Sequence, residues 1–506
     1  RTGQHAIAHM LDRRASKWPN LASSMSNAKV TNRRRRVDVA HRHPPTRGMA
    51  RTARARARGD ATRRSWRARV ALALVGACVG ACATRSVDAM WFGKKSSGAA
   101  ERVRADALDD GTTPGARGGT ELMSAALEAR VPRALVKRFH VVKSRVRALS
   151  ADARRPNVLW LQDLPNDPES EHLREEKNRE KFAKFMFVSE WQKSAYESYF
   201  GDVFGEKAVV MRNAIEPFER QRKEPPEDGV LRLIYHTTPH RGLDILMHVF
   251  PRLYDAHEGM LHLDVYSSFS IYGWHERDHP YAPLFQACEQ HPGCTYHGAV
   301  SNDDVRDALR SAHIFAYPST WMETSCIAAI EALSAGVHVV TSSLGALVET
   351  VGTFGTIYEF KQDWSEHADA FEQAMHGAIE SYWEVTSVRL RRVQQVYASQ
   401  IFGWGSPGLR GRADDWVVLL GGIHEDFNGG RDVERDDFDS DGDYSDALFV
   451  AGRVRESRGD QKGAYEKYLQ SLEFNPLNSY TMVAMSTLEI MVGESNGDHA
   501  TALRGI

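Results

Sequence analysis

Short apolar runs alternate with amphipathic stretches between residues 114 and 420, and this alternation constrains the fold more than any other feature of the 506-residue chain. Strands that are apolar along their whole length are typical of parallel sheets buried on both faces. Strand–helix alternation with short loops therefore predicts an α/β fold with helix-covered parallel sheets. Strands are predicted at 157–161, 185–188, 208–211, 231–235, 261–266, 314–317 and 337–341, and helices at 190–199, 243–253, 303–311 and 325–335.

A charged segment divides this region into two halves. Residues 216–229 are rich in Glu, Arg and Lys and contain Pro225 and Pro226, which is typical of an interdomain linker. We therefore expect two Rossmann-like domains facing a cleft, one at residues 114–220 and the other at residues 221–420. Ligands of open parallel sheets bind at the carboxyl ends of the strands, so a site is expected in the loops that follow them.

The first 113 residues are predicted to be disordered or targeting sequence. Residues 1–69 carry 19 Lys or Arg against 3 Asp or Glu, and an apolar run follows at 70–83. A basic flank before a short apolar core is typical of a signal peptide, although an organelle transit peptide or a true start at Met49 fits as well. The localisation therefore stays open between the secretory pathway and an organelle, with the cytoplasm as the alternative if the start is wrong.

Three of the five cysteines lie in the alternating region, at Cys288, Cys294 and Cys326. Their spacing matches no metal-binding pattern. We expect all three to be reduced thiols in a domain that does not depend on disulfides.

The segment 318–336 carries the residues expected to do chemistry. A predicted strand ends there at a Pro-Ser turn, and a helix is expected to begin near Thr324 or Ser325, both good N-cap residues. Free N–H groups at a helix start favour an anion such as a nucleotide diphosphate. The carboxylates of Glu323 and Glu331 can accept paired sugar hydroxyls. A capping Glu and a surface Glu are the alternative interpretation.

This segment resembles the C-terminal donor domain of family 4 retaining glycosyltransferases, which have the GT-B fold. The family signature is a Pro-Ser turn, a Glu, seven residues, a second Glu, and Ala-x-x-x-Gly before an apolar strand. The resemblance implies that Glu323 contacts the transferred sugar and that Glu331 contacts the nucleotide ribose. The matching residues are Pro318, Ser319, Glu323, Glu331, Ala332 and Gly336, with a later Gly-x-x-x-Glu at Gly345 and Glu349.

Other loops extend the resemblance. Arg241 stands where the family has a basic residue that meets the donor phosphates, and guanidinium binds phosphate in bidentate fashion. Gly298 matches a strand-end glycine near the base, and Gly118 and Gly119 resemble the acceptor-side loop. The predicted site therefore has Glu323, Arg241 and Asp163 as catalytic residues, Thr238, Gly242, Gly298, Thr324, Ser325, Cys326 and Glu331 as donor-binding residues, and Gly118 and Gly119 on the acceptor side.

The implied reaction is the retaining transfer of a hexosyl group from a nucleotide sugar, which is a substrate and not a cofactor. No metal is expected, because no Asp-x-Asp motif lies in this core. The acceptor is an unknown glycan, lipid or protein, and the net charge of −1 gives no sign of a nucleic-acid partner. The alternative is a catalytically inactive protein that binds a sugar nucleotide or serves as a tetratricopeptide scaffold.

An acidic stretch and a helical tail are expected after residue 420. Residues 424–446 contain 10 Asp or Glu against 2 Arg, so 421–446 is predicted to be an acidic linker. Residues 447–506 follow the tetratricopeptide pattern between Leu448 and Pro476, with a truncated second copy at Ala500 and Leu503. These repeats imply a possible protein partner, although plain helical packing explains them equally well.

Overall fold

The structure is a computed structural model that describes residues 116–150, 155–405, 408 and 411–496. The predicted targeting segment, residues 1–113, lies outside these residues, as do Ala500 and Leu503 of the predicted second repeat. The localisation and the second repeat therefore stay predictions. Within the described ranges, no helix is both long and apolar enough to cross a lipid bilayer.

The first half of the described chain builds a four-stranded parallel sheet whose strands follow their order in the sequence. The strand predicted at 157–161 is confirmed, and every residue of it is buried. Ser189 caps the next helix as predicted, because its side chain accepts a hydrogen bond from the backbone N of Gln192. The elements are β1 (His140–Lys143), β2 (Asn157–Leu161), β3 (Phe182–Phe187), β4 (Ala208–Val210), α1 (Gly119–Arg130), α2 (Arg133–Val136), α3 (Glu176–Arg179) and α4 (Glu190–Phe200).

The second half builds a six-stranded parallel sheet. Its strands are β5 (Leu231–Tyr235), β6 (Leu261–Val265), β7 (Cys294–Tyr296), β8 (Ile314–Tyr317), β9 (His338–Ser342) and β10 (Thr356–Tyr358). Its helices are α5 (Leu243–Ala256), α6 (Ala282–Gln290), α7 (Asn302–Ser311), α8 (Ile327–Ser334), α9 (Leu347–Val351), α10 (Trp364–Glu380) and α11 (Val385–Phe402). The order across the sheet is β10-β9-β8-β5-β6-β7, so the loops after β5 and β8 are neighbours at one edge. The two sheets and their helices confirm the predicted α/β fold.

Two chain segments connect the halves and run side by side. The backbone N of Ile215 donates to the carbonyl of Phe402 at 2.8 Å, and the N of Trp404 donates back to the carbonyl of Ile215 at 3.0 Å. The chain therefore returns to the first half near Gly403. This differs from the predicted boundary at residue 420, because the residues that follow Gly403 pack with the first sheet.

The helices after this crossing complete the core of the first half. Trp416 lies against Trp160 of β2, with ring centroids 4.8 Å apart, and both side chains are fully buried. The segment predicted as an acidic linker, 421–446, is helical at both ends, because this packing continues through it. Its tetratricopeptide-like character stays a prediction. The helices are α12 (Arg412–Phe427), α13 (Asp441–Ser457), α14 (Gln461–Phe474) and α15 (Ser479–Asn496).

Cys288 and Cys294 form a disulfide, so the expectation of reduced thiols was wrong for this pair. Cys288 lies near the end of α6 and Cys294 begins β7, and the short turn between them brings their Cα atoms to 5.2 Å. That separation falls in the range that a disulfide spans. Cys326 is a buried free thiol, as expected.

Candidate active site

A cavity of about 300 Å³ lies where loops from the two sheets meet. The segments that follow β2, β5 and β8 contribute Gln162, His236 and Glu323 to its wall. Among the predicted site residues, Gly242 and Ser325 are absent from this wall. The predicted residues that line it are Gly118, Gly119, Asp163, Thr238, Arg241, Gly298, Glu323, Thr324, Cys326 and Glu331.

The helix after Glu323 begins later than the sequence predicts. α8 starts at Ile327, and its N-cap is Cys326 in a left-handed conformation with φ of 66°. Thr324 and Ser325 do not cap it, because the Thr324 hydroxyl donates to the carbonyl of Gln162 across the cleft at 2.8 Å, and Ser325 is turned into the core. The first turn of α8 still borders the cavity through Ile327 and Ala328.

Two glycines allow the site loops to approach each other closely. Gly242 has φ of 116°, and a Cβ there would lie 2.1 Å from the carbonyl oxygen of Pro318. Gly345 has φ of 67°, and a Cβ there would lie 2.4 Å from the carbonyl oxygen of Glu323. Gly242 thus acts by bringing the loop after β5, with Arg241, against the loop after β8. Only glycine combines this backbone conformation with this contact.

Glu323 is held by two donors on one oxygen. Its Oε1 accepts from Tyr317 OH at 2.5 Å and lies 2.5 Å from Arg241 Nη1. The Glu323 side chain is only 6% exposed, so both interactions act with little screening by solvent. Burial alone would lower the pKa of Arg241, but the Glu323 carboxylate raises it well above its usual range.

Arg241 lines the cavity and keeps one guanidinium donor unused. Its Nε is buried and has no partner among the described residues, while Nη1 is used by Glu323. A guanidinium offers separate edges to different acceptors. Arg241 can therefore hold Glu323 and bind a phosphate at the same time.

Glu331 lies at another part of the wall and is paired with a residue that sequence reasoning missed. Its Oε1 is 3.1 Å from Arg306 Nη1, and Asn302 Nδ2 approaches both of its oxygens at 3.5 Å. Arg306 also donates to the carbonyl of Glu216 in the linker at 2.9 Å, and its guanidinium lies 4.0 Å from the Phe218 ring centroid. Burial raises the pKa of Glu331, while Arg306 opposes that effect.

The first half contributes a third carboxylate to the cavity, Asp163, just after the end of β2. Burial and the neighbouring Asp167 raise the pKa of Asp163, while Arg145, the Ser144 hydroxyl and, to a smaller degree, Arg241 oppose the shift. Gly118 and Gly119 lie at the same cavity and contact the second half: a Cβ at Gly118 would lie 2.3 Å from the Tyr272 ring. The acceptor-side residues and the donor-side residues therefore face one space.

Several buried polar atoms of the wall have no hydrogen-bond partner in the described part of the chain. Buried polar groups in folded proteins are nearly always paired, so a cluster of unpaired ones at a cavity points to a polar ligand. Burial also lowers the pKa of His236 to about 3, so its ring stays neutral. The unpaired atoms are Gln162 Nε2, Asn213 Oδ1, His236 Nε2, Thr237 Oγ1, Thr238 Oγ1 and Arg241 Nε.

Polar contacts join the two halves beside the cavity. Ser189 Oγ donates to the carbonyl of Thr324 at 2.6 Å. The Glu349 carboxylate accepts from the backbone N of Glu190 and of Trp191, at 3.2 and 2.9 Å, and lies 3.0 Å from Arg212 Nη2. The sequence analysis gave Glu349 only as part of the family signature. In the structure it lies in the second half and accepts from free N–H groups at the start of α4 in the first half.

Tyr317, Arg306 and Asn302 contact the two glutamates of the site, and the sequence prediction lacked all three. Tyr317 is the last residue of β8, and a side chain at the carboxyl end of a parallel strand is placed near the ligand edge of the sheet. That position was a usable signal. Arg306 lies on α7, 25 residues from Glu331, and nothing in the spacing of the two residues indicates their contact.

No three His, Cys, Asp or Glu side chains cluster as a metal site in the ranges that the structure describes. The expectation of a metal-independent site stays a prediction. The hydrogen-bond donors at the cavity are an arginine guanidinium and hydroxyl groups, and such donors suit an anion.

Residues 215–384 match the family model described as glycosyl transferases group 1. The matched region runs from the linker through α10 and contains Arg241, Gly298, Glu323 and Glu331. The prediction that the chain is a glycosyltransferase is confirmed by this match. No curated protein matches the chain significantly.

Three solved structures are similar to the chain at low sequence identity. One is a glycosyltransferase from Rickettsia africae ESF-5, with a TM-score of 0.44 and 12% identity over 66% of this chain and 84% of that one. Another is sucrose-phosphate synthase from Thermosynechococcus elongatus, with a TM-score of 0.39 and 15% identity over 55% and 69%. A third is HepE from Anabaena in complex with UDP-glucose, with a TM-score of 0.36 and 16% identity over 55% and 72%.

Proposed function

We propose that the chain is a retaining glycosyltransferase that moves a hexosyl group from a nucleotide sugar to a hydroxyl of an unknown acceptor. The observation that carries the proposal is the convergence of Glu323, Arg241 and Glu331 on one cavity at the carboxyl ends of two parallel sheets. The glycosyl transferases group 1 match over 215–384 supports the class of reaction.

The chemistry of the wall supports a nucleotide-sugar donor. Arg241 takes the diphosphate through its free Nε edge, with Thr238 and the first turn of α8 beside it. Glu331, buried and fixed by Arg306, suits the two hydroxyls of a ribose. Glu323 takes the transferred sugar through its second carboxylate oxygen.

The acceptor side is assigned to Asp163 and the loop at Gly118. In the transfer, the bond between the sugar C1 and the leaving phosphate oxygen breaks, and its electron pair stays on the diphosphate. The acceptor hydroxyl oxygen bonds C1, and its proton passes to the leaving phosphate oxygen on the same face of the sugar. Arg241 stabilises the developing charge in a buried setting, where a fixed cation acts strongly. Asp163 orients the acceptor hydroxyl.

Donor hydrolysis and binding test this function. The purified chain is incubated with UDP-glucose, UDP-N-acetylglucosamine, GDP-mannose or GDP-fucose, and NMR identifies the first anomer released. Glu323→Gln and Arg241→Gln should each lower turnover by at least about 100-fold, as loss of a charged contact at the reacting centre does. Glu359→Gln is the matched control, because Glu359 is exposed and, among the described residues, its ion pair is with Lys361 in the same half.

Two results would contradict the proposal in different ways. An inverted first product would exclude the retaining mode. A chain that binds a nucleotide sugar but turns over none would favour the inactive binding or scaffold protein instead.

A further inference from the structure

The two oxygens of the Glu323 carboxylate are in different situations. Oε1 receives both the Tyr317 hydroxyl and Arg241 Nη1, each at 2.5 Å. Oε2 receives no hydrogen bond from any described residue. A carboxylate oxygen has about two acceptor sites, so these two donors occupy Oε1 fully and leave Oε2 for a ligand.

The Tyr317 hydroxyl is buried and donates its hydrogen bond to Glu323. The side chain is fully buried at the end of β8, and its ring stacks on Phe315 with centroids 5.1 Å apart. Burial and the Glu323 carboxylate raise the pKa of Tyr317 well above its usual range, so the hydroxyl remains a donor at every physiological pH. The ring fills the core, and the single O–H points at Glu323.

We propose that Tyr317 is a positioning residue that sets the rotation of the Glu323 carboxylate and thereby aims Oε2 at the hydroxyls of the transferred sugar. This inference rests on the proposed function of the cavity. It assigns to Tyr317 a part in recognising the sugar and none in binding the nucleotide.

The backbone of Glu323 is held independently of Tyr317. The carbonyl of Glu323 accepts from the backbone N of Ala346 at 2.7 Å, and Gly345 packs against the same peptide. Removing the Tyr317 hydroxyl therefore leaves the loop in place. The Tyr317→Phe change alters only the orientation of the Glu323 carboxylate. Arg241 is then its remaining contact, and a single contact still permits rotation about the last side-chain bond.

The test is a double-mutant cycle of Tyr317→Phe and Glu323→Gln. Turnover is measured with UDP-glucose or GDP-mannose, whichever the wild-type chain hydrolyses, and binding with that donor and with the free nucleoside diphosphate. Tyr317→Phe should lower kcat by about 10- to 100-fold, as expected for loss of a hydrogen bond to a charged group. The affinity for UDP or GDP should stay within about twofold, because those contacts do not involve Glu323 Oε2. Adding Tyr317→Phe to Glu323→Gln should lower kcat by no more than about threefold further.

Tyr382→Phe is the matched control. Tyr382 is buried in the same hydrophobic core, and its hydroxyl has no hydrogen-bond partner in the part of the chain that the structure describes. This variant deletes the same group without touching Glu323. Its kcat and donor affinity should equal those of the wild type, and the thermal midpoints of both Phe variants report folding.

Each outcome decides the inference. A Tyr317→Phe variant with the kcat of the wild type overturns the inference. So does a Tyr317→Phe substitution that lowers kcat by the same factor with and without Glu323→Gln. A loss of UDP or GDP affinity equal to the loss of kcat would mean general damage to the site and also overturns it. A wild-type chain that binds neither nucleotide sugar refutes the proposed function itself, and the inference falls with it.

Discussion

Replacing Arg241 with methionine should destabilise the fold by about 3 kcal/mol, because it leaves a buried carboxylate without its cation. Removing one partner of a buried ion pair costs about 3–5 kcal/mol. We expect a loss at the lower end of this energy range, because Arg241 is 24% exposed and Tyr317 still donates to Glu323 after the substitution. The measurement is urea denaturation of Arg241→Met, Glu323→Gln and the double variant, without ligand.

The double variant separates charge burial from lost packing. Glu323→Gln removes the charge that Arg241→Met leaves uncompensated, so the double variant should regain about 2 kcal/mol relative to Arg241→Met alone. Arg241→Met with wild-type stability would refute the reasoning. So would a double variant that is no more stable than Arg241→Met, because the loss would then come from side-chain packing.

Three further predictions concern other parts of the structure. Arg306→Met should weaken binding of UDP or GDP by about tenfold in calorimetry, because Glu331 loses its ion pair; unchanged affinity would exclude Glu331 from the ribose contact. Trp416→Ala should destabilise the first half by about 3–5 kcal/mol, since Trp416 fills its core against Trp160; an unchanged thermal midpoint would contradict the packing of the tail on that sheet. Burial lowers the pKa of His367 to about 4, whereas an unfolded His titrates near pH 6.5. The stability that this residue contributes is thus fully present above about pH 6.5 and is lost as the pH falls towards 4. His367→Gln should flatten the fall of the thermal midpoint over that window, and an unaltered pH profile would contradict this.

The four central strands of the second sheet were the most predictable elements, whereas the edge strands β7 and β10 were not predicted. The predicted strands 231–235 and 314–317 coincide with β5 and β8, because strands of a helix-covered parallel sheet are mainly apolar, and Arg232 is the single charged residue of these two. The start of α4 at Glu190 was equally predictable, because Ser189 is a good N-cap residue and its hydrogen bond is made within the first turn of the helix. Residues close together in the sequence determine these strand positions and this helix start.

Contacts between distant residues were not predictable in the same way. The start of α8 at Ile327 depends on Thr324 finding a partner at Gln162, 162 residues earlier in the chain. Trp416 packs on Trp160 because the chain returns to the first half at Gly403. No local sequence pattern predicts that return. Tertiary contacts override capping preference and composition in these places.

A crystal structure of the chain with UDP or GDP bound tests the central claim most directly. The account predicts a phosphate oxygen about 3 Å from Arg241 Nε, with the ribose hydroxyls at Glu331 and with Glu323 Oε2 open towards the sugar position. A diphosphate bound outside this cavity, or one that leaves Arg241 Nε and Glu331 without contact, would contradict it.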